Sequence, residues 1–160
     1  YIDQVEDIDL KEAFRQSIAA LAALDLEKLH TLGDRVYAPG KWTIRELLQH
    51  ITDCERVFAY RALRFSRNDQ TALPGFDENL FAEYSGANRR TLEEVLAELR
   101  AVRESTRLLF DSFDEAALRR TGIMFKSELP VLAVGFIVAG HQIHHLRIME
   151  ERYFPLLQTA

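Results

Sequence analysis

Three of the five histidines in this chain fall within five residues, His141-Gln142-Ile143-His144-His145, just after a stretch of Val, Ile, Ala and Gly. A buried imidazole needs partners for both of its ring nitrogens, so a cluster of them beside an apolar segment calls for a chemical reason. Residues four apart on a helix are neighbours on one face, about 5–6 Å between Cβ atoms. His141 and His145 can then grip a single ion, as the two histidines of a H-E-x-x-H helix do. Periodicity leaves a second pair open, His141 with His144, because both spacings continue the stripe through Val134, Val138 and Ile148. A third ligand is required. His50, between Leu47 and Cys54 on the inner side of an earlier helix, is the candidate. Three neutral imidazoles with an open fourth position make a catalytic rather than a structural zinc-type site. A lone histidine on an apolar face is usually just a hydrogen-bonded core residue, and it is the combination across facing helices that points to a metal.

The elements that must position these residues are helical. Only 7 Gly and 4 Pro occur among 160 residues, long runs of helix formers dominate, and the size suits one domain, residues 1–160. A first helix is expected from about Asp9 to His30, with Leu10, Phe14, Ile18, Leu21 and Leu24 as its apolar stripe. Gly33 and Pro39-Gly40 interrupt the pattern. Thr43-Ile44-Arg45-Glu46 is a capping box that opens a second helix to about Ser66, with Ile44, Leu47, Leu48, Ile51, Cys54, Phe58, Ala62 and Phe65 inward. Pro74 to Ser85 reads as a loop with a short helix. Thr91-Leu92-Glu93-Glu94 is another capping box, opening a third helix whose inward set is Val95, Leu99, Val102, Thr106 and Leu109. A short helical turn near Asp114–Leu118 precedes a last helix, with Pro130 in its first turn, from Val131 to about Tyr153. The fold class is all-α: a four-helix bundle with one longer connection, between the second and third helices.

Trp42, the run Leu47-Leu48-Gln49-His50-Ile51-Thr52-Asp53, and Gly140-His141-Gln142-Ile143-His144-His145-Leu146 together resemble the DinB-like superfamily. These are DNA-damage-inducible four-helix-bundle proteins, and they include bacillithiol and mycothiol transferases. The resemblance covers nearly the whole chain and extends to Glu55-Arg56-Val57-Phe58-Ala59-Tyr60-Arg61 and Leu73-Pro74-Gly75-Phe76. It implies one divalent transition metal ion, nickel or zinc, on a histidine of the second helix and a H-x-x-x-H pair of the last. Those positions are His50, His141 and His145. It further implies a metal that activates a thiol or a water, with thiol S-transfer from a low-molecular-weight thiol preferred. Metal-assisted hydrolysis and a non-catalytic, stress-responsive binding bundle are the alternatives. No catalytic residue beyond the metal ligands is assigned.

Around the histidines, Asp53, Glu55 and Glu150 are candidates to orient the ligand rings, since metal-bound imidazoles usually donate their second N–H to a carboxylate or carbonyl. Cys54 stands one turn from His50 but, as a single cysteine on an apolar face, reads as core. Arg56, Arg61, Arg64 and Arg67 form a basic series in which Arg61 and Arg64 could hold a substrate carboxylate; local ion pairs are the simpler reading. Trp42 reads as a hydrophobic seal at a helix entrance. Glu27-x-x-His30 is a single E-x-x-H where a di-iron carboxylate bundle needs two. No G-x-S-x-G elbow, phosphate-cradling glycine loop or C-x-x-C pair occurs.

Net charge is −5, the wrong sign for tracking a nucleic-acid backbone. The longest apolar run, Leu129 to Gly140, contains Pro130 and falls short of the roughly 20 residues of a membrane span. One cysteine makes no intramolecular disulfide, so a cytoplasmic location is expected. Partners are therefore expected to be a small-molecule substrate and a second copy of the chain. The homodimer follows from Phe58, Phe65, Phe76, Phe81, Tyr84, Tyr153, Phe154 and Leu156, too many large apolar side chains for one narrow core.

Overall fold

The computed structural model describes residues 1–5 and 8–158. Among these residues seven α-helices and one β-hairpin follow in the order α1 (Leu10–Ala22), α2 (Leu26–Leu32), α3 (Ile44–Ser66), α4 (Glu78–Tyr84), α5 (Leu92–Asp111), α6 (Glu115–Arg119), β1 (Thr121–Met124), β2 (Ser127–Pro130) and α7 (Val131–Ile148). The four long helices α1, α3, α5 and α7 form the bundle, and α3 packs on α5 and α7 while α1 packs on the same two. Successive pairs α1 and α3, or α5 and α7, are therefore diagonal. Both capping boxes form, Thr43 with Glu46 and Thr91 with Glu94, and each starts its helix at the expected residue.

Two apolar clusters fix the helix directions. One is aromatic-rich and joins Phe14, Phe58, Phe65, Phe110, Val131 and Val134. The other is leucine-rich and joins Leu21, Leu47, Leu48, Leu96, Leu99 and Met149. Early residues of α3 and α5 thus share one end and late residues the other, so these neighbours run parallel while α1 and α7 run against them. A parallel pair needs a return path. At 23 residues α3 is about 34 Å long, and the connection carrying α4 runs back along it, which is the longer connection the sequence implied.

Three local expectations need correction. The first helix is two, because Asp25 caps a new start by accepting from the Lys28 amide at 3.1 Å. Pro130 ends β2 and precedes the first turn of α7 rather than sitting within it. Before it lies the hairpin, with Thr121 paired to Pro130 and a turn in which Phe125 and Lys126 both have positive φ, 54° and 64°. Such a turn usually carries Asn-Gly, so Phe-Lys gave no signal. Gly122 is required there, since a Cβ would sit 2.1 Å from the Phe65 ring.

The aromatic surplus is smaller than the sequence count implied. Phe58, Phe65 and Tyr153 are buried; Phe81 and Tyr84 remain on the surface. The helical path from Val131 through the turns to Leu157 is long and apolar enough to cross a membrane by length and composition, which the shorter apolar run had not suggested. Val131, Val134 and Val138 are packed into the aromatic half of the core.

Candidate metal centre

Between the two apolar clusters lies a belt of buried polar side chains, one or more from each bundle helix: Ser17, His50, Glu55, Arg103, Thr106, His141, Gln142 and His145. α3 contributes His50 because the stripe Leu47, His50, Ile51, Cys54, Phe58 faces inward. α7 contributes His141 and His145, one turn apart. Their three Nε2 atoms form a triangle: His50 to His141 3.2 Å, His50 to His145 3.1 Å and His141 to His145 3.1 Å. His144 lies outside it, its ring against those of Tyr1 and His145. Of the two pairs that periodicity leaves open, the geometry brings His145 and not His144 to His50.

Burial pushes the histidine pKa values down, His50 to about 4, His145 to about 3 and His141 to about 2, the last two also through neighbouring imidazoles. All three rings are neutral at pH 7, the form that binds metals. The donor set fits a divalent ion: ligands about 2.0–2.1 Å from zinc at tetrahedral angles lie about 3.3 Å apart, close to the observed spacing. His145 Nδ1 is buried without a hydrogen-bond partner.

Aromatic rings wall the triangle. Trp42 packs on His50 with centroids 4.6 Å apart, while Phe58 and Tyr1 meet His141 edge-on at 5.6 Å and 4.9 Å. The Tyr1 backbone lies so close to α7 that a Cβ at Gly140 would be 2.1 Å from its carbonyl oxygen. Trp42 is thus a seal, as read from sequence, but against a ring of the site itself. Its carbonyl accepts from the Tyr153 hydroxyl at 2.6 Å, which ties it to the C-terminal turns.

Cys54 offers a competing donor, since His50, Cys54 and His141 have ligand atoms within 4.8 Å of one another. Its Sγ lies 3.6 Å from Nδ1 and 3.7 Å from Nε2 of His50, so it sits beside that ring rather than at the point where the Nε2 atoms converge. Burial also pushes its thiol up to about 12.

The expected carboxylate partners of the histidines lie elsewhere. Asp53 accepts from Gln49 at 2.9 Å and pairs with Arg56, and Glu150 is exposed. Glu55 is paired with Arg103, whose Nη2 lies 2.8 Å from it, and Arg103 Nη1 donates to Ser17. Nearness along the helix points to these three carboxylates, but it does not set the face on which a side chain lies. Arg103 was missed because a charged residue in a helix reads as solvent-facing; its place between Leu99 and Thr106 on the inward stripe was the available signal. Of the basic series, Arg56 pairs with Glu98 at 2.5 Å, Arg64 with Asp69 and Tyr60, and Arg67 lies over the Phe113 ring. His30 meets Glu93 at the surface.

Residues 9–149 match the DinB superfamily. A protein of Geobacillus thermodenitrificans named "Putative metal-dependent hydrolase" is 26% identical over 139 residues, 86% of this chain and 74% of its own. Bacillus subtilis YfiT, described as "a probable metal-dependent hydrolase with an unusual four-helix bundle topology", superposes with a TM-score of 0.65 at 20% identity, covering 89% of this chain and 82% of that one.

Proposed function

This chain belongs to the DinB superfamily, and on that premise we propose that it is a metal-dependent hydrolase whose ion is held by His50, His141 and His145. The observation that carries this reading is the convergence of three neutral Nε2 atoms, 3.1–3.2 Å apart, with no carboxylate among their contacts with the described residues. A divalent ion held by these residues, nickel or zinc by the family resemblance, would supply Lewis acidity that three neutral ligands leave uncompensated, enough to lower the pKa of a water or thiol.

The chain's own residues do the rest. Antiparallel α3 and α7 hold the three rings on rigid backbone, and Trp42 packed on His50, with Phe58 and Tyr1 edge-on to His141, restrains those two rings and limits bulk water at the flanks. Cys54, protonated at neutral pH, packs on His50 without competing as a nucleophile. The names of the similar proteins favour hydrolysis. Thiol transfer, which the sequence resemblance put first, would use the same three histidines with a low-molecular-weight thiol in place of water.

Elemental analysis of protein purified without a nickel column tests the centre: about one equivalent of a divalent transition metal is expected, lost in His50→Ala, His141→Ala and His145→Ala. Less than about a tenth of an equivalent, with no uptake on titration, removes the proposal. A panel of esters and amides, with and without chelator and added thiols, then separates the reactions. Chelator-sensitive turnover independent of thiol is the result expected of a hydrolase, and strict thiol dependence assigns the centre to transfer instead.

A further inference from the structure

Arg61 is 7% exposed, yet it has no carboxylate partner among the described residues. Its one side-chain hydrogen bond to them is from Nη2 to the Pro74 carbonyl at 2.9 Å. A guanidinium has five N–H donors and keeps its charge, and burial without an anion is costly, as the lowering of its pKa by desolvation reflects. Each of the other arginines in the same series has an acidic or aromatic neighbour. Arg61 is the one whose charge is left for something else.

That charge lines a cavity of about 390 Å³ between α3, the Leu73–Phe76 segment and the hairpin turn. Phe58, Leu73, Phe76, Met124 and Phe125 make it apolar; Lys126 supplies a second cation, and no Asp or Glu lines it. Pockets that combine apolar walls with a few convergent polar groups suit small ligands. Two cations without an anion specify the sign of the ligand, and the planar fork of Arg61 suits a carboxylate.

The cavity adjoins the histidines through one side chain. Phe58 lines it and also meets the His141 ring edge-on at 5.6 Å. On α3, Arg61 lies 11 residues beyond His50, three turns and about 16 Å along the same face. A molecule with its anion at Arg61 and an apolar body past Phe58 would extend toward the triangle.

We propose that this cavity is the specificity pocket of the histidine centre and binds an apolar carboxylate, with Arg61 as the partner of the carboxylate and Lys126 as an outer cation. Its description as the pocket of that centre rests on the function proposed above; the binding itself does not need a metal.

Calorimetric titration of metal-free and metal-loaded protein with 4-phenylbutyrate and its neutral isostere 4-phenylbutyramide tests it. The carboxylate is expected to bind at least about tenfold more tightly than the amide in both forms. Arg61→Met should bring the two ligands to within about twofold, and Lys126→Met should reduce the preference by about threefold. If Arg61→Met does not fold, Lys126→Met and Arg61→Lys carry the test, the latter keeping part of the preference. Equal affinities in the wild type, a preference unchanged by these variants, or no saturable binding below about 10 mM overturns the proposal. A charge-dependent site in a protein that takes up no metal supports the carboxylate pocket and defeats only the metal function; metal uptake with equal affinities does the reverse.

Discussion

The buried belt between the two core clusters holds two polar groups that differ in how they are completed. In the first, Arg103 donates to both carboxylate oxygens of Glu55 at 2.8–3.0 Å and to Ser17, while Gln142 donates to the Ser17 carbonyl at 2.9 Å. Charge meets charge, and residues from four helices are tied together, with Gln142 Oε1 left as a buried acceptor without a partner among the described residues. In the second, three neutral imidazoles point their Nε2 atoms at one another. Both groups cost desolvation free energy. The first recovers it within the chain and so acts as structure, whereas the second is the centre proposed above to hold a cation.

The largest expected effect comes from breaking the closed group. Arg103→Met leaves the Glu55 carboxylate buried without its partner, and the loss in unfolding free energy should be about 3–5 kcal/mol, read by urea denaturation. The double variant Glu55→Met with Arg103→Met removes both charges from a site already 1–2% exposed and should recover most of that loss, since apolar replacement of a buried pair is often neutral. A single variant within about 1 kcal/mol of wild type would show that the pair is not holding the belt together.

Breaking the open group should act on ligand rather than on fold. His141→Asn keeps most of the side-chain volume and removes one converging nitrogen. The metal-free protein should therefore lose less stability than Arg103→Met does, while metal affinity falls by at least about 100-fold. In the wild type, metal at 100 times its Kd should add about 2.7 kcal/mol to the apparent stability, and chelator should remove it. Thermal unfolding with and without metal measures both. Equal stabilisation of wild type and His141→Asn would place the ion elsewhere.

The two groups were unequally legible in the sequence. The histidines could be found because their residue type is scarce and their spacing falls on inward stripes, and every residue assigned inward on α3 is buried. The Glu55–Arg103 pair could not be found in the same way: the partners are 48 positions apart, and only the packing of α3 beside a parallel α5 brings them together. Sequence nearness alone pairs Glu55 with His50, because it carries no information on the direction of the side chain. The break at Asp25 and the Phe125-Lys126 turn escaped for a local reason. Each depends on a backbone conformation for which the sequence offers only a weak preference.

The smallest effect is expected at Cys54, which lies beside His50 and belongs to neither group. Its Sγ lies 3.6 Å from His50 Nδ1, and His50, Cys54 and His141 form an alternative set of donors. Binding through that set requires the thiol to lose a proton that burial retains up to about 12, whereas the three histidines are already neutral. Cys54→Ala should therefore keep one equivalent of metal, weaken its affinity by less than about threefold and lower stability by about 1 kcal/mol, the loss of a small buried side chain. The cobalt-loaded wild type should show no near-ultraviolet thiolate charge-transfer band. The opposite outcome, in which Cys54→Ala loses the metal while His145→Asn keeps it, would redraw the boundary within the belt: the centre would then be His50, Cys54 and His141, and His145, with its unpartnered Nδ1, would belong to the packing around it.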